Sequence, residues 1–247
     1  MKKIKANTII ASLILVFCFT YNVKAQNNMN ANQRLSQKEQ SIISIAALTA
    51  KGDLSKLKTV LNTGFEAGLT VNEIKEILVH LYAYCGFPRS IRGLQTFMEV
   101  IGERKAKGIH DKTGNDISPI NEKGSKYERG KKILGALTKM PQPDTLTGYS
   151  AFAPIIDTFL KEHLFADIFE RDVLTYCERE LVTVSVLSTI GGVEPMLRSH
   201  LIICLNVGLA PEQLLQFVNI IKLTVGQKGA KTTQTVLDEV LKARHNF

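Results

Sequence analysis

The sequence predicts an all-α protein made of two tandem copies of one helical unit, and three observations predict it. Segments 35–101 and 174–241 carry the same punctuation: a capped helix, a glycine break, a helix ending in Gly-Leu, another helix, a glycine and a closing helix. Hydroxyl-to-carboxylate capping signatures recur at matching places in the two segments. No stretch alternates apolar and polar residues with period two between hairpin turns, so no sheet is expected.

The first residues stand apart. Lys2, Lys3 and Lys5 precede an apolar stretch from Ile9 to Phe19, and Ala25 stands before Gln26. That is the layout of a secretory signal peptide over residues 1–25. The apolar stretch is shorter than the roughly 20 residues a membrane span needs, and bulky Phe17 ahead of Cys18 argues against a lipid-anchored cysteine. The expectation is an exported protein, periplasmic or secreted, with no membrane anchor after cleavage. Removing residues 1–25 takes four lysines and no acid, which lowers the formal charge from +8 to +4. The basic balance is therefore partly an export signal, and nothing points to nucleic acid. Cys85, Cys177 and Cys204 remain, with no CxxC pair, so neither a disulfide framework nor a dithiol centre is read.

Residues 26–101 are expected to form the first unit. Ser36-x-x-Glu39 and Thr70-x-x-Glu73 are capping boxes within it, and Thr175-x-x-Glu178 is the matching box of the second copy. Ala210-Pro211-Glu212 puts proline at the first helical position, where its missing N–H costs nothing. Gly68 and Gly208 fall where a helix needs a left-handed residue after its end. Residues 102–126 are polar and glycine-rich and read as a solvated linker. Residues 127–247 then form the second unit with an N-terminal helical arm. The arm is read as a helix from Tyr127 to Thr138, a break at Met140–Pro143, and an amphipathic helix from Ile155 to Phe169 bearing Phe159, Phe165 and Phe169.

Four residues stand out as candidates for chemistry. Glu180 is not explained by capping, because Glu178 already fills the box, and helical spacing places it on the stripe of Val184 and Leu187. A carboxylate there needs a partner, and the structural reading bridges it to Arg179, Arg198 or a partner chain. His200 shares a face with Met196, Ile203 and Cys204. His80 shares one with Tyr84 at i+4, while Glu76 at i−4 is placed to pair with it on the helix surface. A lone inward histidine is more often a satisfied core residue than a catalyst, and buried cysteine is more often inert than reactive. The first copy has Ser41 and Val60 where Glu180 and His200 fall, and the second has Ile220 where His80 falls. The copies thus complement one another, and a composite site between units is expected. The candidates do not form a spaced ligand motif, so no metal or other cofactor is expected. His110, His163 and His245 have no constellation around them, and the lysine-rich stretch 102–132 reads as a solvated face.

The segments LVHLYAYCGFPRSI, ERELVTVSVLSTIGG and LRSHLIICLNVGL, with the arm YERGKKILGAL and KEHLFADIFERDVL, resemble the carboxymuconolactone decarboxylase family. That family is distantly related to the alkylhydroperoxidase D family. The resemblance spans about residues 33–245. It implies paired all-α units, a homo-oligomer such as a trimer, and sites at unit interfaces. Glu180 and His200 resemble the glutamate and histidine that accompany the CxxC of the peroxidase relatives, whose cysteine positions fall near Gly192 and Pro195 here. The sequence departs from the peroxidase pattern at that point. His80 lies in HLYAYCGFP, similar to the decarboxylase-type motif. The chemistry implied is proton transfer on a small carboxylated, lactone-like molecule, with His80, Glu180 and His200 catalytic and Tyr84 binding substrate. Peroxide reduction of the peroxiredoxin type, and binding of a small molecule without turnover, are the competing readings.

Overall fold

The computed structural model describes residues 34–120 and 123–245, and among these the chain is helical with no strand. The segment read as a signal peptide lies outside the described residues. The helices are α1 (Gln37–Lys51), α2 (Leu54–Glu66), α3 (Val71–His80), α4 (Tyr82–Ala106), α5 (Lys126–Thr138), α6 (Gly148–Phe152) and α7 (Pro154–Phe159). A π-helical segment, Leu160–Ile168, follows, and then α8 (Tyr176–Ile190), α9 (Glu194–Asn206), α10 (Pro211–Val225) and α11 (Gln227–His245).

Local chemistry sets the ends. The hydroxyls of Ser36, Thr70 and Thr175 accept from the backbone N–H three residues on, and Glu39, Glu73 and Glu178 reach back to the cap amides, opening α1, α3 and α8. Pro211 opens α10, where Gln213 Oε1 accepts from Ala210 N–H at 2.9 Å. Gly86, at φ 81°, interrupts α4, and the helix resumes with Pro88 in its new first turn, where proline breaks no hydrogen bond. Gly226, at φ 110°, separates α10 from α11. α1 and α8 each have 15 residues, and α2 and α9 each have 13.

The core lies where α1 crosses α8. α8 is buried from Arg179 to Ser188 without interruption, as befits a helix enclosed on every side. α1 packs on α8 and also against α2, α4 and α10, while α9 and α11 close round α8. A smaller cluster joins Leu137 of α5, Leu164, Phe165, Ile168 and Phe169 to Ile203 of α9, with Tyr82 and Tyr84 against it. The arm thereby roofs the region around Tyr84.

Two expectations need correction and the linker reading is refined. The stretch from Ile155 to Phe169 is not one regular helix: α7 passes into π-helical turns, and Phe159 is exposed while Phe165 and Phe169 are buried. Residues 102–120 are mostly exposed, as a solvated linker requires, but they are not a free tether. α4 runs on to Ala106, and the following residues are fastened to the start of α3, with Val71 and Asn72 N–H donating to the Lys112 and Thr113 carbonyls at 3.0 and 2.9 Å. The guanidinium of Arg104 also grips Asp111 at 2.7 Å. Met196 is half exposed, so His200 stands at the edge of the buried face of α9.

Candidate functional site

α3 ends at His80 and the chain turns directly into Tyr84, so both side chains face the middle of α8. His80 is fully buried. Its Nε2 lies 2.9 Å from Thr183 Oγ1, and its Nδ1 lies 3.2 Å from a terminal guanidinium nitrogen of Arg179. Burial, then the nearby Arg179 and His200 charges, hold its pKa well below the usual 6.5. The Tyr84 ring stands between two imidazoles, its centroid 5.5 Å from His80 and 5.8 Å from His200. Phe169 closes the far side, edge-on to His80 at 5.2 Å.

Glu180 is fully buried, and its Oε2 lies 2.8 Å from His200 Nδ1. The arginines expected to bridge it are occupied otherwise: Arg198 pairs with Glu239, and Arg179 with Glu76. The His200 side chain is 13% exposed, so the pair opens toward solvent on the imidazole side. Among the described residues nothing in the chain hydrogen-bonds His200 Nε2, which leaves that nitrogen for a ligand. All four candidates therefore gather at one place within a single chain, His80 and Tyr84 from α3–α4 and Glu180 and His200 from α8–α9.

Beneath them runs an ion network that the sequence did not disclose. Glu76 is buried, not a surface partner of His80: Arg171 grips its two oxygens at 2.8 and 2.9 Å, and Arg179 donates to it at 2.8 Å. Burial pushes the Glu76 carboxyl up, but the hydrogen bonds from Arg171 and Arg179 outweigh it and the net pKa is lowered. Among the described residues, three buried polar atoms nearby have no hydrogen-bond partner: Tyr84 Oη, Glu180 Oε1 and Arg179 Nε. Burial raises the Tyr84 pKa, with Glu180 adding to the effect. Thr183 lies close enough to oppose that rise, yet no hydrogen bond of good geometry forms to the hydroxyl. Buried polar groups are ordinarily paired, so unpaired ones in one neighbourhood mark a place where a ligand supplies partners.

At the positions where the first copy was expected to lack this pair, Ser41 donates to the Gln37 carbonyl and is buried. A cleft of about 370 Å³ lies there, lined by Gln40, Ser41, Ser44 and Val60. The thiols are unfavourable for redox work. Burial pushes Cys85 up to about 11, raises Cys177, and lifts Cys204 well above the ordinary range. Among the described residues no group of three or more His, Cys, Asp or Glu is placed to hold a metal ion.

Residues 19–97 match the carboxymuconolactone decarboxylase family model. Over that stretch, about a third of its length, the chain is similar to the family. The match takes in Glu76, His80 and Tyr84 and ends before Arg179, Glu180 and His200. Over 79 residues the chain is also 27% identical to an uncharacterized protein of Methanocaldococcus jannaschii, an alignment covering 32% of this chain and 74% of that protein. Outside the matched stretch, the second half of the chain supplies the carboxylate–imidazole pair and both arginines of the network.

The buried groups predict acid lability. Below about pH 6.5 the unfolded chain binds a proton at His80 that the folded state refuses, so stability falls from there downward. The Glu76 contribution is present above its ordinary value of 4.5 and is lost as pH falls through its lowered folded value. Thermal melts from pH 8 to pH 4 are expected to decline from about pH 6.5 and to steepen at the acid end. His80→Asn should flatten the upper limb; an unchanged limb would mean the proton is taken up elsewhere.

Proposed function

We propose that the protein is a proton-transfer enzyme of the lyase type acting on a small carboxylated, lactone-like molecule, with its two halves as tandem units that share one site. The observation that carries this reading is the Glu180–His200 pair at 2.8 Å, with the Tyr84 ring edge-to-face with His200 at 5.8 Å and its hydroxyl unpartnered among the described residues. Glu180 orients His200 through Nδ1 and leaves Nε2 toward the substrate, an arrangement suited to general acid–base work. Loss of CO2 breaks the bond to the substrate carboxyl and leaves its electron pair as an enolate-type charge. The Tyr84 O–H donates a hydrogen bond to that oxygen, and His200 returns a proton to carbon. His80, with both ring nitrogens engaged, lines the site and transfers no proton in this scheme. The pairing of helix lengths between α1–α2 and α8–α9 supports the tandem reading. Residues 1–25 favour an exported protein, so the substrate is not taken from the family's name.

The test is turnover of a panel of lactone acids, and of hydroperoxides with a thiol reductant, by the protein and by its Cys85→Ser, Cys177→Ser, Cys204→Ser triple variant. Lactone-acid turnover that survives in the triple variant is the expected result. Hydroperoxide reduction that the variant loses would overturn it in favour of a thiol peroxidase, and tight binding without turnover would mark a non-catalytic binding protein.

A further inference from the structure

We infer that Arg179 is a positioning residue: it fixes the buried His80 as the neutral tautomer protonated at Nε2, and through that ring it holds Tyr84 against the Glu180–His200 pair. This inference rests on the reading that Tyr84 and the Glu180–His200 pair do the chemistry.

A guanidinium has donors and no acceptor, and it stays protonated in proteins. The nitrogen of His80 that faces it at 3.2 Å, Nδ1, must therefore accept, which leaves the ring proton on Nε2. Nε2 then donates to Thr183 Oγ1 at 2.9 Å, and the Thr183 hydroxyl donates onward to the Arg179 carbonyl at 3.1 Å. Every donor in this loop meets an acceptor, and the loop begins and ends on Arg179. Reversing the tautomer would set an N–H against the guanidinium and leave Nε2 without a proton to give.

Arg179 is itself held. Glu76 accepts from it at 2.8 Å, the Arg171 carbonyl accepts from the same nitrogen, and the Arg171 side chain completes the neutralisation of Glu76. The charged and titratable groups facing His80 are thus Arg179 and Glu180 on α8, Glu76 on its own helix, Arg171 ahead of α8, Tyr84 on α4 and His200 on α9. The ring so fixed meets Tyr84 at 5.5 Å on one side and Phe169 at 5.2 Å on the other, and Tyr84 in turn meets His200. A single imidazole orientation therefore sets where the Tyr84 hydroxyl stands.

The experiment is nitrogen NMR of the ring in full-length protein labelled at histidine, with His80→Asn used to assign the signal. The expected result is a bare Nδ1 and a protonated Nε2 from pH 8 to pH 5.5, unchanged in Thr183→Val, a near-isosteric variant that removes the Nε2 partner and spares Arg179. A protonated Nδ1 or an imidazolium signal in the unaltered protein would overturn the inference, and so would a mixture of tautomers in Thr183→Val, since the threonine would then be setting the proton. The readout does not need turnover: absence of activity on every substrate would sink the proposed reaction and leave the tautomer result standing.

Discussion

Replacing Arg179 by methionine is expected to lower the melting temperature by about 10 °C. Removing one partner of a buried ion pair costs about 3–5 kcal/mol, and each kcal/mol moves the midpoint of a domain of this size by roughly 2–4 °C. Arg179 is fully buried, and Glu76, which it grips, is 3% exposed. Methionine fills much the same space, so the loss is electrostatic and not a cavity. Arg171 keeps part of its hold on Glu76, which places the expected cost at the low end of that range. Adding Glu76→Gln should not restore the loss, because Glu76 stays paired with Arg171 in the single variant and the second change would strip Arg171 of its carboxylate. Calorimetry of the single and double variants checks this. A midpoint within about 2 °C of the parent for Arg179→Met would mean that the network is not a stabilising element.

What the sequence disclosed of the fold was local. A capping box is decided within four residues, and Ser36, Thr70 and Thr175 open their helices as spacing requires. The π-helical segment had no such signature. It packs on α5 through Gly130, where a Cβ would stand 1.7 Å from the Lys161 carbonyl oxygen, and that closeness depends on residues far apart in sequence. The site divides in the same way. His80 and Tyr84 lie one helical turn apart, and Glu180 was conspicuous as a carboxylate on an apolar stripe. Arg179 sits beside it in the same apolar run and carries the same signal, but spacing offers it only as a partner for Glu180. Its real partner, Glu76, lies 103 residues away, beyond the reach of any spacing argument. Convergence of α3–α4 with α8–α9 likewise follows from packing and not from periodicity.

Replacing His200 by alanine is expected to reduce kcat on a turned-over lactone acid by about 10²–10⁴, the range in which a positioned acid–base side chain contributes. Glu180→Gln should lose less, because the amide oxygen still accepts from His200 Nδ1–H in one orientation, while the lost carboxylate charge no longer supports the imidazolium that gives its proton to carbon. Tyr84→Phe distinguishes chemistry from scaffolding most sharply. Among the described residues the hydroxyl has no partner, so its removal forfeits no hydrogen bond and leaves stability level or raises it by about 1 kcal/mol. If that hydroxyl meets the developing enolate oxygen, kcat falls in a protein whose melting temperature does not. Steady-state kinetics and a thermal melt on the same preparation read both quantities. Full activity in Tyr84→Phe would remove the tyrosine from the chemistry, and full activity in His200→Ala would remove the Glu180–His200 pair and with it the proposed reaction.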